Sequence, residues 1–90
     1  MKVLQSGIFL RRIKRLHKNE KQALDNAVRK IISKPAIGLM KIGDLKSVQV
    51  HKYKLQTNQY LIAYKHDLEN NEITLLAYGS HENFYRDLKR

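Results

Sequence analysis

At 90 residues and 10.6 kDa the chain has the length of one domain, residues 1–90, with surface enough to bury for a single modest core. It has no cysteine, which excludes a disulfide framework and thiolate metal ligation. It also has neither an apolar run long enough to span a bilayer nor a signal-peptide pattern, so a cytoplasmic protein is expected. Eighteen Lys and Arg against eight Asp and Glu give a net charge of +10, which favours polyanionic partners: nucleic acid first, an acidic protein second, an anionic membrane a distant third.

The opening "MKVLQ" is a short strand candidate, after which Ser6 and Gly7 offer a helix start. In "IFLRRIKRLHK", Phe9, Ile13 and Leu16 recur at helical spacing while Arg11, Arg12, Lys14, Arg15 and Lys18 cover the other faces, which predicts one strongly basic amphipathic helix. Asn19 followed by Gln22 has the form of a capping box, and Leu24, Ala27, Val28, Ile31 and Ile32 form the apolar stripe of a second helix. That helix is expected to run to about Lys34, because Pro35 pushes the preceding residue out of helical geometry. Residues 1–34 hold ten basic and two acidic residues, so most of the charge excess lies in this helical half. A solvated helix face accounts for that run as well as a binding surface does.

Residues 35–46 read as a loop with apolar anchors, and beyond them the period changes to two. "SVQVHKYKL", "QYLIAYK" and "EITLLAY" are rich in β-branched and aromatic residues and are joined by "QTN" and "DLENN", as three antiparallel strands in a meander would be. Gly79 ends the last strand, Ser80 can cap, and "HENFYRDLKR" is expected to be a short terminal helix. The order β-α-α-β-β-β-α predicts an α+β domain with both N-terminal helices on one face of the sheet and the other face open.

Alternation places Lys52 and Lys54 together on that open face and turns Tyr53, Leu55 and His51 the other way. Taken alone, such lysines also serve to blunt strand pairing. His17 and His66 fit solvated surface positions, and no histidine stands at metal-ligand spacing from another ligand. His81 differs, because it follows a strand end and a glycine, where loops held by rigid elements carry reactive groups. Tyr85 would follow one helical turn later, with Arg86 beside it. An imidazole, lysines and an aromatic in a basic cleft suit RNA cleavage by internal transfer. The 2′-hydroxyl attacks the adjacent phosphorus, and the protein supplies a base, a proton donor and cations, with no metal and no cofactor. A capped helix with an incidental histidine explains "GSHEN" almost as cheaply.

With the element order, the proline after the second helix, "KYKL…QYLIAY" and "GSHENFYRDLKR" taken together, nearly the whole chain resembles the RelE/ParE superfamily of bacterial toxin–antitoxin toxins. "GSHENFY" is similar to the Gly-x-His-x-x-x-aromatic ending of YafQ-type ribonuclease toxins, and "KYKL…Y" is closer to RelE. The resemblance implies an endoribonuclease that cuts messenger RNA on the ribosome and an acidic antitoxin that binds it in a hetero-oligomer. It implies His81 as general acid, Tyr85 on a base or phosphate, Lys52 on phosphate and Lys54 in a base-like role. Two departures stand out: Leu61 replaces an arginine of RelE, and His81 itself falls where RelE has its second active-site arginine. Arg86 or Lys65 could supply the missing cation. ParE-type members share the fold, lack the ribonuclease residues and poison DNA gyrase. The alternatives are therefore a gyrase poison or a degenerate toxin that only binds its antitoxin.

Overall fold

In the computed structural model, residues 1–40 and 48–80 are described. Strand β1 (Lys2–Gln5) leads into helix α1 (Gly7–Ile13), then α2 (Lys18–Ser33) and a short 3₁₀ turn at Pro35–Ile37. Strands β2 (Leu39–Met40), β3 (Gln49–Leu55), β4 (Asn58–Asp67) and β5 (Glu72–Ser80) complete one five-stranded sheet in the order β1-β5-β4-β3-β2. The class is α+β, as the sequence predicts, and the meander of β3, β4 and β5 is antiparallel. Two strands extend it. β1 pairs with β5 in parallel, and β2 pairs with β3 within the segment read from sequence as loop. The expected terminal helix lies outside the described residues.

Both helix starts depend on local chemistry. Ser6 caps α1: its hydroxyl accepts from the Phe9 N–H at 3.1 Å and donates to the Leu76 carbonyl, tying the helix start to β5. Leu76 is the extra residue of a bulge, since Ala63 faces Ala77 while Tyr64 faces Leu75. The first helix is shorter than its pattern predicts, ending at Ile13 and continuing only as a turn. The second begins earlier than the expected Asn19 and Gln22 box: His17 is its N-cap, and the Glu20 carboxylate accepts from the His17 N–H at 3.2 Å.

The core has two parts. On the helix face, Phe9 of α1 and Leu24, Ala27 and Ile31 of α2 pack on Ile62, Tyr64, Ile73, Leu75 and Tyr78. Ile32, placed by pattern on the same stripe, is instead exposed. The second part corrects the expectation of an open face. Val48, Val50, Leu61, Ala63 and Ala77 form a buried apolar cluster on the sheet side away from the helices. Strand parity thus separates two cores, and the lysines occupy only the end of the second face.

Candidate functional site

Along β3 the even-numbered side chains pass from Val50, which is buried, to Lys52 and Lys54, which are exposed. The change is one of neighbours. Val50 faces Ala63, Lys52 faces Leu61, and Lys54 faces Gln59 beside the turn. Leu61 in turn faces Gly79, so Lys52, Leu61 and Gly79 form one row across three strands. The next row is Tyr53, Tyr60 and Ser80, and Ser80 is the residue to which His81 is joined. Both lysines therefore occupy the end of the sheet at which β5 finishes. His81, Tyr85 and Arg86 lie outside the described residues.

Lys65 is exposed on the same sheet face as Lys52 but pairs with Thr74, four residues further along β4 from Leu61. At the usual rise per strand residue that is about 13 Å, so the structure does not bring it to the lysine pair. Leu61 itself has no accessible surface. Leu61, for which the resemblance implies an arginine in RelE, is a packing residue clustered with Val50, Ala63 and Ala77.

A second basic surface lies on the helix side of the same sheet end. A cleft of about 590 Å³ is lined by Arg11, Arg12 and Arg15 from α1 and its trailing turn, and by Tyr60, Tyr78 and Ser80 from the sheet. Arg15 stays beside the other two because its N–H donates to the Arg12 carbonyl at 3.2 Å, which continues the winding beyond Ile13. The tyrosines form a stack. Tyr53 and Tyr60 have ring centroids 5.7 Å apart, Tyr60 and Tyr78 are 6.1 Å apart, and Phe9 meets Tyr78 edge-on at 6.3 Å. Burial, with Glu20 and Tyr60 adding to it against Arg12, pushes the Tyr78 hydroxyl up to about 12, so it is a neutral donor at physiological pH. Tyr53 is raised further, again chiefly by burial. Sequence reading found these arginines as the polar faces of a helix. It had no means of telling that three of them border a concave surface, since that depends on where α1 docks.

A profile of the ParE-like toxins of type II bacterial toxin–antitoxin systems matches residues 3–89. The chain belongs to this toxin family. Among solved structures, the toxin is similar to a chain of the RelBE2 toxin–antitoxin complex of Mycobacterium tuberculosis, with a TM-score of 0.76 and 15% identity over 89% of this chain and 96% of that one. It is also similar to a chain of the intact Escherichia coli RelBE complex, with a TM-score of 0.68 and 17% identity over 87% and 93% of the two chains. The isolated E. coli RelE toxin gives a TM-score of 0.68 at 16% identity, covering 88% of this chain and 82% of that one. At these identities the likeness establishes a shared RelE-type fold. A search of curated protein sequences finds no match. Among the described residues no group of His, Asp and Glu could hold a metal ion, and no helix is long and apolar enough to cross a membrane.

Proposed function

We propose that this toxin is an endoribonuclease that cuts messenger RNA, on the ribosome, by internal transfer. The observation that carries the reading is the exposed pair Lys52 and Lys54 at the end of the sheet where β5 hands over to His81. In the proposed step the 2′-hydroxyl loses its proton to a base, and its oxygen attacks the adjacent phosphorus. The P–O bond to the 5′-oxygen then breaks as that oxygen takes a proton, leaving a 2′,3′-cyclic phosphate and a 5′-hydroxyl. Lys54 serves as base or electrostatic stabiliser, and His81 donates the proton. Lys52 and Arg86 hold the charge that builds on the phosphorane, where preorganised cations act most strongly, and Tyr85 stacks on a base. Lys65, about 13 Å along the face, is reserved for a more distant phosphate.

The net charge of +10 supports an acidic antitoxin as the neutralising partner in a hetero-oligomer, as the RelBE complexes that share this fold are toxin–antitoxin assemblies. Primer extension on transcripts from cells expressing the toxin tests the reading. Cleavage is expected with the wild-type chain and at least a hundredfold less with His81→Ala, in line with the usual contribution of a general acid. Lys54→Ala is expected to fall by a similar factor, and circular dichroism should show both variants folded. Growth arrest with intact transcripts and induced DNA-damage signalling would replace this reading with gyrase poisoning. Antitoxin binding without any growth defect would replace it with a degenerate toxin.

A further inference from the structure

The lysine pair and the arginine cleft lie on opposite faces of the same sheet end. Gly79 links them, since it shares a row with Lys52 and also lines the cleft. We infer that the cleft bordered by Arg11, Arg12 and Arg15 is a second phosphate subsite, which holds single-stranded RNA beside the nucleotides cleaved at the lysine face. This inference rests on the ribonuclease reading and extends its substrate path around the end of β4 and β5.

Three features favour phosphate as the ligand. Arg11 and Arg15, both exposed, bring two guanidinium groups to the cleft against one nearby carboxylate, that of Glu20, which is felt at Tyr78, so the cleft keeps an excess of positive charge. Guanidinium forks match phosphate oxygens two at a time, and a positive groove is how proteins follow a single-stranded backbone. The macrodipole of α1 accounts for Arg11 and Arg12 in its last turn, but not for Arg15, which lies past the helix and is carried to the cleft by the trailing turn.

The tyrosines decide what the subsite does not read. Tyr60 stacks with Tyr53 of β3 and with Tyr78 of β5, its aromatic neighbours on the two flanking strands. Tyr78 is buried between Tyr60 and Phe9. With these rings engaged by one another, the contact is to the backbone and indifferent to sequence. Across the sheet, β3 and β5 are two strand spacings apart, about 10 Å, a span that a few nucleotides cover. The rim residues Ile8 and Leu16 would also suit an acidic peptide with apolar side chains. Continuity with the lysine face through Gly79 and Ser80 favours RNA.

Binding of a 2′-O-methylated single-stranded RNA, which cannot be cut because its 2′-oxygen is blocked, tests the subsite by fluorescence anisotropy across a salt series. Arg11→Ala/Arg15→Ala is compared with Lys18→Ala/Arg29→Ala, a control that removes the same charge from the exposed side of α2. The cleft variant is expected to bind at least tenfold more weakly. Its log–log salt slope should be shallower by about 1.4, corresponding to two lost phosphate contacts on a single strand. The control should change less than threefold, and thermal melts should show both variants folded. Equal losses in the two variants, or no RNA binding by the wild-type chain, would overturn the inference. So would unchanged RNA binding with loss of binding to a Glu-rich amphipathic peptide, which would assign the cleft to a protein partner. Because no cleavage is read, the two proposals fail separately. Uncut transcripts with a weakened cleft variant reject the nuclease and keep the subsite, whereas cut transcripts with equal losses do the reverse.

Discussion

Tyr64 shows how one side chain can fix a backbone path. It has no accessible surface, and its hydroxyl donates to the Pro35 carbonyl while accepting from the Gly38 N–H at 2.9 Å. The Gln49 amide completes the arrangement, donating to the Pro35 and Gly38 carbonyls at 3.0 and 3.2 Å. These bonds satisfy the polar backbone released where α2 stops at the proline, so the chain can turn from helix into β2 inside the protein. Burial pushes the Tyr64 hydroxyl up, against the N–H of Gly38, so it remains a donor at any physiological pH. Tyr64→Phe keeps the ring and leaves the Gly38 N–H without its partner. It is expected to cost about 1–3 kcal/mol in urea unfolding, the penalty of a buried unsatisfied group. Gly38 is constrained from the other side, since a Cβ there would lie 2.6 Å from the Tyr64 hydroxyl oxygen and 2.8 Å from a ring carbon. Gly38→Ala must displace a packed ring, so a loss of about 1–3 kcal/mol is expected, accompanied by a change in tyrosine near-ultraviolet dichroism. Gly38→Ala combined with Tyr64→Phe should cost less than the two changes summed, because both act on the same contact.

At the scale of elements, β3 serves both faces of the sheet, and alternation made much of this legible. Lys52 and Lys54 are exposed and Tyr53 packs against the helix-side core, as a period of two requires. The strand types, their antiparallel meander and the stop at Pro35 were likewise readable, because each depends on neighbours within a few residues. Three features were not. The parallel pairing of β1 with β5 joins chain ends some seventy residues apart, and no local pattern encodes such a pairing. The burial of Leu61 and Ala63 on the face away from the helices could not be inferred from a strand whose central run, Leu61–Ile62–Ala63–Tyr64, is apolar on both parities. The cleft at α1 depends on docking rather than on composition. His51 belongs to the legible part: it is half-buried opposite Ile62 on the helix face, with Lys30 of α2 close enough to be felt. Desolvation first and the Lys30 charge second hold its pKa below 6.5, so the folded state binds fewer protons than the unfolded chain. Stability is then fully present above about pH 6.5 and declines as pH falls from there through the folded-state value. Urea unfolding at a series of pH values between 7.5 and 5 should show this decline, and His51→Gln should flatten it. A slope unchanged in that variant would assign the decline to other groups.

The whole molecule carries its charge at a structural cost. The described residues carry most of the chain's net charge of +10, and the fold has a Cα radius of gyration of 12.4 Å, barely more than one Debye length at about 0.1 M salt. Like charges therefore repel across the fold, most strongly through the helical layer that holds the greater part of the excess, and unfolding relieves them by spreading the chain. Added salt should consequently stabilise the isolated toxin, contrary to the behaviour of proteins held by surface ion pairs. Raising sodium chloride from about 0.05 to 0.5 M is expected to increase the unfolding free energy in urea by on the order of 1 kcal/mol, with most of the gain below about 0.2 M, where the Debye length shrinks fastest. Urea is the appropriate denaturant because, unlike guanidinium, it leaves the ionic strength unchanged. Sodium sulfate at matched ionic strength tests for screening alone: screening gives coincident curves, whereas exclusion from the surface or anion binding at the basic cleft places sulfate above chloride. Stability falling as chloride rises would show that attractive pairs outweigh the repulsion. The field that opposes folding also draws polyanions toward the two basic surfaces. The same salt range that steadies the toxin should therefore slow the RNA association proposed above in stopped-flow mixing, the two effects having one origin and opposite sign.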